Sequence, residues 1–484
     1  MAIIRVSQDE LVQRDAAMSE IREYYSSLCL SKGRKMTYSV RTYGCQLNES
    51  DSEKLCGMLE QMGLVSAPED EASDVTVFNT CAIRENAEDR LFGNLGMVKA
   101  DKKEDKDRII AVCGCMTKIP ENVDRIKKSF PYVDLVFDPQ QLHLFPVYLR
   151  DVLRNRKQLV NISAVDYIVD DSLVPVFRKR RFRALVPIMY GCNNFCTYCI
   201  VPYARGRERS RDMSDILREL EELACAGYKE VMLLGQNVNS YKSSDGKTFT
   251  DLLGEASKIK GFNRIRFMSS HPKDISDKIV DLIASSSNIE MHLHLPLQSG
   301  SDEVLKRMNR PYSRQDFLKT ADYFRKMVPE GSISTDIIVG FPGETEEDFQ
   351  RTLEIVEQVR FDSAFTFQYS ARPGTKAASM PDQIPHEVVT ERFARLLELQ
   401  NEHAYRSNLA KVGRTEEVLI EGASSTSPDI LTGRTLSNHL VNFTIPEDLK
   451  DGSKSSDDYE GLLCDVLIES ARPYSVDGKM VRLK

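Results

Sequence analysis

Three thiols stand within eight residues in Cys192-Asn193-Asn194-Phe195-Cys196-Thr197-Tyr198-Cys199, a C-x3-C-x2-C spacing. No other stretch of the chain is so restrictive. Iron–sulfur clusters are ordinarily held by four Cys thiolates. Here the local sequence supplies three, so a cubane cluster bound in this loop would keep one iron without a protein ligand, much as a catalytic zinc keeps an open position. A small molecule can reach such an iron, which makes the cluster chemical rather than structural. The competing readings fit less well. A zinc site needs a fourth ligand, and no His or Cys follows until Cys225; a disulfide would leave one Cys odd.

Composition sets the class. A length of 484 residues suggests about three domains. Hydrophobic content of 41% and charged content of 29% suit an ordinary globular protein. A net charge of −8 argues against a strongly basic nucleic-acid coat without excluding local patches. The N-terminus, MAIIRVSQDELVQRD, carries charges where a signal peptide needs an apolar core. No window approaches the apolar length that spans a bilayer. The expectation is a cytoplasmic monomer with no membrane association. In a reducing compartment the 11 Cys read as metal or redox sites rather than disulfides.

Residues 1–34 read as a polar, helix-patterned extension, and 35–150 as an α/β domain. In the latter, strands are expected at Thr37–Tyr43, Val75–Phe78, Arg108–Val112 and Val133–Phe137, with helices at Asn48–Met62 and Arg84–Lys99. Such alternation argues for a parallel sheet covered on both faces. Cys45, Cys81 and Cys115 each sit just after one of the first three strands. Ligands of open α/β sheets bind beyond the carboxyl ends of the strands, so the three thiols can converge on a second site. Scattered buried cysteines are the bland alternative. Cys113 competes with Cys115, but strand alternation points Cys113 into the core. Cys29, Cys56, Cys225 and Cys464 have no such context.

Residues 151–180 read as a connector, running into the basic stretch Arg178-Lys179-Arg180-Arg181-Phe182-Arg183. Residues 181–410 hold six strand–helix units, with strands near Leu185–Tyr190, Glu230–Leu234, Arg264–Ser269, Met291–Pro296, Ser332–Val339 and Phe365–Tyr369. Helices are expected at Met213–Ala226 and Glu346–Val359. The triplet spacing, the aromatic before its last Cys and its place after the first strand resemble the radical S-adenosylmethionine (SAM) enzymes. That resemblance implies an open partial (β/α)6 barrel with its reactive face at the C-terminal ends of the strands. It implies that SAM chelates the open iron and is cleaved to a 5′-deoxyadenosyl radical. It also implies SAM contacts at Gly235 and Gln236 after the second strand, at Gln298 after the fourth, and at Asp336, with Gly340 and Gly343, on the fifth. His271, His292 and His294 are candidate metal ligands, although satisfied core histidines are commoner. Residues 411–484, rich in Val, Ile, Ser, Thr and Gly, read as a small antiparallel β-barrel with strands at Glu417–Ile420, Leu440–Phe443, Leu462–Ile468 and Met480–Leu483.

Several phrases narrow the resemblance. Thr42-Tyr43-Gly44-Cys45-Gln46-Leu47-Asn48, Asn79-Thr80-Cys81-Ala82-Ile83-Arg84-Glu85-Asn86-Ala87 and Tyr203-Ala204-Arg205-Gly206-Arg207-Glu208-Arg209-Ser210-Arg211 resemble the MiaB branch of the radical-SAM methylthiotransferases. Leu431-Thr432-Gly433-Arg434-Thr435 and Val441-Asn442-Phe443 fit the TRAM barrel of that family. The likeness covers roughly residues 36–484. It implies 2-methylthiolation of N6-isopentenyladenosine at tRNA position 37. It implies two [4Fe-4S] clusters: one on Cys192, Cys196 and Cys199 for radical chemistry, and an auxiliary one on Cys45, Cys81 and Cys115 that supplies sulfur. It implies an electron donor and sulfur or iron–sulfur assembly proteins as partners. Sister enzymes act on threonylcarbamoyl-adenosine in tRNA or on a ribosomal-protein aspartate; a non-catalytic iron–sulfur RNA-binding protein is the reading from another class. Carbon 2 of the purine bears an unactivated C–H bond, for which a radical route is physically sensible.

For RNA, the basic stretch at 178–183 and Arg205, Arg207, Arg209 and Arg211 are expected to meet phosphates. Four arginines cannot all pair with the single Glu208 between them, which predicts a free positive surface; pairing with Glu219 to Glu222 is the alternative. Residues 411–484 hold nine Lys/Arg against thirteen Asp/Glu, a net of −4. RNA contact there would rest on shape and base contacts.

Overall fold

A wholly parallel six-stranded sheet forms the first domain. Its order is Val65–Ser66, Thr37–Tyr43, Val75–Thr80, Ile109–Cys113, Leu135–Phe137 and Leu159–Asn161. Val75–Thr80 and Ile109–Cys113 are buried at every position, as strands covered on both faces must be. Val77, Ala111 and Cys113 face a core with Leu55, Met58 and Phe145. Phe78 and Val112 face the other, with Leu91, Leu95 and Ile126. The short edge strands Val65–Ser66 and Leu159–Asn161 were not expected from the sequence.

The computed structural model describes residues 3–68, 71–82, 85–163, 166–168, 174–425, 427–447, 449 and 455–484. Ile83 and Arg84 of the second quoted phrase lie outside these, as does much of the connector; the helix expected from Arg84 is described from Glu85 to Glu104. Among the described residues, no helix is long and apolar enough to cross a membrane.

Residues 1–34 are more than an extension. Gln8–Lys32 is one helix, opened by a Ser7/Glu10 capping box. Its Met18, Ile21 and Tyr25 join the first core of the sheet domain. The connector is also shorter than expected, because helix Phe145–Asn155 and strand Leu159–Asn161 belong to the sheet domain. Where described again, the chain runs over helix Gln46–Gln61, and Phe177 N donates to Glu53 O at 2.9 Å. A Cβ at Gly57 would stand 2.5 Å from Pro175 O, so only glycine admits this crossing.

The second domain carries six parallel strands in two groups of three. Arg183–Pro187, Glu230–Leu234 and Arg264–Phe267 form one group. His292–His294, Ser332–Val339 and Ser363–Gln368 form the other. A bridge between Ile265 and Ile289 leads from one to the next. Helices Met213–Cys225 and Glu346–Val359 cover the outside, the second opened by a Thr345/Asp348 capping box.

Helix His386–Leu409 leads into a closed five-stranded barrel. One neighbouring pair, Leu440–Thr444 with Val476–Leu483, runs parallel, where an all-antiparallel barrel was expected. An odd ring of strands cannot alternate direction at every step, so closure with five requires one parallel contact. Strand Ser427–Thr435 was also not expected. The turn after it plugs the floor of the larger barrel. Met291 N donates to Leu436 O at 2.9 Å, Ser332 Oγ to Ser437 O at 2.6 Å and Arg266 Nη2 to Asn438 Oδ1 at 2.8 Å.

The basic stretch is partly consumed by this assembly. Arg178, half-buried, pairs with Glu219 at 3.0 Å and approaches Glu53 of the first domain at 3.7 Å. Arg180 pairs with Glu460 of the small barrel at 2.9 Å. Both side chains join domains, and Arg178 is too enclosed to meet phosphate as expected, whereas Arg180 stays exposed.

Candidate active site

The C-x3-C-x2-C loop leaves the first barrel strand through Gly191 (φ +74°), where a Cβ would fall 2.0 Å from Arg207 O. Cys192 N donates to Gly206 O at 3.1 Å and Cys199 N to Cys196 O at 2.9 Å. Phe195 takes a left-handed conformation (φ +49°), uncommon for a bulky residue. Asn309 holds it there, its Nδ2 donating to Asn194 O at 2.9 Å and Phe195 O at 3.1 Å. Thr197 Oγ1 donates to Arg307 O at 2.9 Å. The buried Arg310 reaches Cys196 Sγ with Nη1 at 3.6 Å and Pro296 O with Nη2 at 3.0 Å.

Burial pushes the Cys192 thiol up to about 11, with Glu208 and Cys196 adding to it. Burial, then Cys196 and Cys192, pushes Cys199 up to about 12. The three thiols thus sense one another, and all are free. Closely spaced buried thiols resist ionising together until a cation joins them, and a bound metal deprotonates its thiols outright. A buried guanidinium already faces one of them. This donor set fits an iron–sulfur cluster.

The second triplet comes together from three strand ends. Cys45 caps helix Gln46–Gln61, Cys81 follows Val75–Thr80, and Cys115 opens the turn Cys115–Lys118. Asn79 ties the first two ends, its Nδ2 donating to Asn48 O at 2.8 Å and Ser52 Oγ at 3.0 Å. Asn48 Nδ2 donates back to Asn79 Oδ1 at 2.9 Å. Gly114 (φ +99°) lets the third end press against the second: a Cβ there would meet Thr80 O at 2.4 Å. Burial pushes Cys115 up to about 12; Arg205 opposes this, while Cys81 and Cys45 add to it. Cys113 packs in the first core, and burial pushes its thiol up as well. Cys115 thus stands with Cys45 and Cys81 at the strand ends, and Cys113 in the core. Among the described residues, no three or more His, Cys, Asp or Glu close around a single ion. A cubane spreads its thiols over different irons, so the two conditions do not conflict.

The triplets flank one short segment. Ile200 and Ala204 pack against Ala82, Cys115 and Ile119 of the first domain. Cys199 precedes this segment, and Arg205 at its end donates Nε to Cys115 Sγ at 3.0 Å. Its Nη1 stands 2.7 Å from Asp51 Oδ2 in a buried ion pair. Burial works against the charge of Arg205, but Asp51, Cys115 and Cys45 outweigh it and hold the guanidinium firmly charged.

The expected free surface on the arginine stretch is therefore mostly absent. Arg205, Arg209 and Arg211 are buried. Arg211 pairs with Glu219 at 2.9 Å, and Arg209 Nη1 donates to Arg207 O at 2.8 Å. Arg207 is exposed, its guanidinium 4.3 Å from the Phe195 ring centre. Folding the stretch back beside the cysteine loop turns three of the four cations inward.

Of the expected SAM contacts, Gly235 has no room for a side chain, since a Cβ would lie 2.7 Å from Met189 Cγ. Gln236 Oε1 is buried and has no hydrogen-bond partner among the described residues. Gln298 (φ +63°) bridges to the next strand, its N donating to Asp336 O at 2.7 Å. Asp336 Oδ2 lies 3.4 Å from His294 Nε2. The histidines enclose no metal position. His292 and His294 form a chain with serines: Ser332 Oγ–His292 Nδ1 at 2.7 Å, His292 Nε2–Ser334 Oγ at 2.9 Å and Ser334 Oγ–His294 Nδ1 at 2.9 Å. Burial, then Arg310 and Lys273, brings His271 down to about 2, so it stays neutral. Sequence reasoning missed Asn48 and Asn79, although both stand inside the phrases that carry Cys45 and Cys81. It had no signal for Arg310, which is 114 residues from Cys196.

The Radical SAM superfamily matches residues 186–356, and the uncharacterized protein family UPF0004 matches residues 37–138. Among solved structures, the radical S-adenosylmethionine methyltransferase TsrM from Kitasatospora setae shares the fold, with a TM-score of 0.52 at 12% identity over 71% of this chain and 75% of that one. The tRNA-2-methylthio-N(6)-dimethylallyladenosine synthase of Acetivibrio thermocellus is 46% identical over 99% of this chain and 98% of its own. That of Alkaliphilus oremlandii is 45% identical over 99% of both. That of Clostridium botulinum strain Loch Maree is 47% identical over 92% and 97%. With that identity along nearly its whole length, the chain belongs to the tRNA-2-methylthio-N(6)-dimethylallyladenosine synthases, the MiaB-type methylthiotransferases of the radical-SAM superfamily.

Proposed function

We propose that this protein replaces the hydrogen on carbon 2 of N6-isopentenyladenosine, at position 37 beside the tRNA anticodon, with a methylthio group. The observation that carries this reading is the pair of three-thiol sets on either side of residues 200–205. One set belongs to the barrel and the other to the sheet domain, and a single chain segment spans them.

Cys192, Cys196 and Cys199 would hold the radical cluster, and Cys45, Cys81 and Cys115 the auxiliary one. When bound, these clusters supply the electron that cleaves SAM and the sulfur that is inserted. The chain's own contribution is placement. Asn309 fixes the loop at Phe195, and Arg310 brings a buried positive charge to Cys196. Gly235, Gln236 and Gln298 lie beyond the ends of the second and fourth barrel strands, and Asp336 lies within the fifth; SAM would bind on that side of the barrel. Burial of Cys192 and Cys196 would keep bulk water from the cluster they hold. Arg207 is the exposed cation of its stretch and would meet RNA phosphate. The target base would be splayed from the anticodon stack to reach the site. The reaction needs an electron donor and a sulfur or iron–sulfur assembly partner, and suits a reducing cytoplasm.

The test is mass spectrometry of tRNA nucleosides from cells lacking the gene. Loss of 2-methylthio-N6-isopentenyladenosine with build-up of N6-isopentenyladenosine is expected. An unchanged nucleoside profile would refute the proposed substrate.

A further inference from the structure

Arg205 is a barrel residue that reaches into the sheet domain. It is buried, and two of its three nitrogens are engaged there: Nε with Cys115 Sγ at 3.0 Å and Nη1 with Asp51 Oδ2 at 2.7 Å. Nη2 is buried with no hydrogen-bond partner among the described residues. A 3.0 Å donor distance is short for sulfur. A residue needed only to join the domains would have Asp51 as partner and no reason to aim a donor at sulfur. The Asp51 carboxylate in turn offsets part of the guanidinium charge.

We propose that Arg205 is a positioning residue that sets the reduction potential of the auxiliary cluster through its hydrogen bond to Cys115, with Asp51 as the opposing charge. This rests on the reading that Cys45, Cys81 and Cys115 hold that cluster. Hydrogen bonds and net charge at the sulfurs are among the determinants of cluster potentials. A cation donating to a ligating sulfur favours the reduced, more negative state. Removing it should lower the potential, and removing the Asp51 charge should raise it. The opposite signs separate tuning from bracing, because loss of a brace moves both variants the same way in stability and neither in potential.

The experiment is an EPR-monitored redox titration of anaerobically reconstituted full-length protein. It compares wild type, R205Q and D51N, and is repeated with Cys192, Cys196 and Cys199 all changed to Ala to isolate the auxiliary signal. A tenfold fall in the reduced-to-oxidised ratio at fixed potential, about 59 mV for one electron, is expected for R205Q, and a rise for D51N. Unmoved midpoints with a lowered melting temperature overturn the proposal, as do shifts of the same sign. If R205Q loses its iron, D51N decides alone: a midpoint that falls or stays there overturns the proposal. A wild-type chain with no second cluster refutes the cluster assignment itself, whereas a second cluster with unmoved potential refutes only the role of Arg205.

Discussion

Gly114→Ala should destabilise the protein and remove one of the two proposed clusters. The glycine sits at φ +99°, outside the regions open to L-residues. A Cβ there would lie 2.4 Å from Thr80 O, 2.5 Å from Thr80 N and 2.6 Å from Asn79 Oδ1. Two of these are backbone atoms of the strand end beside Cys81, and the third is the amide that ties that end to the Cys45 end. Backbone strain at φ +99°, ψ −179° costs about 1–3 kcal/mol, and forced displacement in a packed region about 1–3 kcal/mol more. The expected loss is about 3 kcal/mol. The relief must come from moving Cys115 away from Cys81, so the damage should be local to the auxiliary thiols. Urea unfolding measures the first effect. Iron analysis after anaerobic reconstitution measures the second, with about four iron expected in place of about eight. Gly93→Ala is the control, in an exposed helical position with nothing within 4 Å of its Cβ, and should gain about 0.5–1 kcal/mol. A Gly114→Ala protein with wild-type stability and full iron would refute the reasoning.

The two triplets should separate functionally. Ala at Cys192, Cys196 and Cys199 should leave one cluster and abolish SAM cleavage, whereas Ala at Cys45, Cys81 and Cys115 should still yield 5′-deoxyadenosine but no methylthio product, as product chromatography will show. Arg207→Ala should lower the log–log salt slope of anticodon stem-loop binding by about one. Arg211→Ala should instead cost about 3 kcal/mol of stability, because a buried ion pair with Glu219 is broken. Glu344 gives a pH signature: burial pushes its carboxyl up to about 7, with Arg392 only partly opposing. The folded state then binds a proton that the unfolded chain releases near pH 4.5, so this group contributes stability at low pH that is lost as pH rises from about 4.5 through 7. The loss is on the order of 3 kcal/mol. Glu344→Gln should flatten that slope in pH-dependent urea unfolding, and a slope unchanged by the substitution would count against it.

The sequence showed where the cysteines gather more clearly than what surrounds them. Cys45, Cys81 and Cys115 were legible because strand ends in a parallel sheet share one edge, and Cys192, Cys196 and Cys199 because their spacing is local. The arginines were not. Residue type announces a positive charge, but whether it meets water or a buried carboxylate depends on Asp51 and Glu219, which only the fold brings near Arg205 and Arg211. The first helix had a readable stripe, with Leu11, Arg14, Met18, Ile21 and Tyr25 recurring at intervals of three and four, but its overall polarity hid the face that packs. The parallel pair in the small barrel had no local signal, because it follows from ring closure rather than from either strand.

The serine–histidine chain across the floor of the larger barrel has a direction. Ser332 gives its only hydroxyl hydrogen to the Ser437 carbonyl, which has none to return. Ser332 must then accept from His292 Nδ1–H. Burial holds His292 neutral, so its Nε2 accepts the hydrogen of Ser334. Ser334 in turn must accept from His294 Nδ1–H. The orientation of every hydrogen in the row is thus dictated from the small barrel, one carbonyl in a turn of another domain. It fixes the tautomer of His294 and leaves Nε2, the nitrogen that faces Asp336, with no hydrogen to offer unless the ring takes up a second proton.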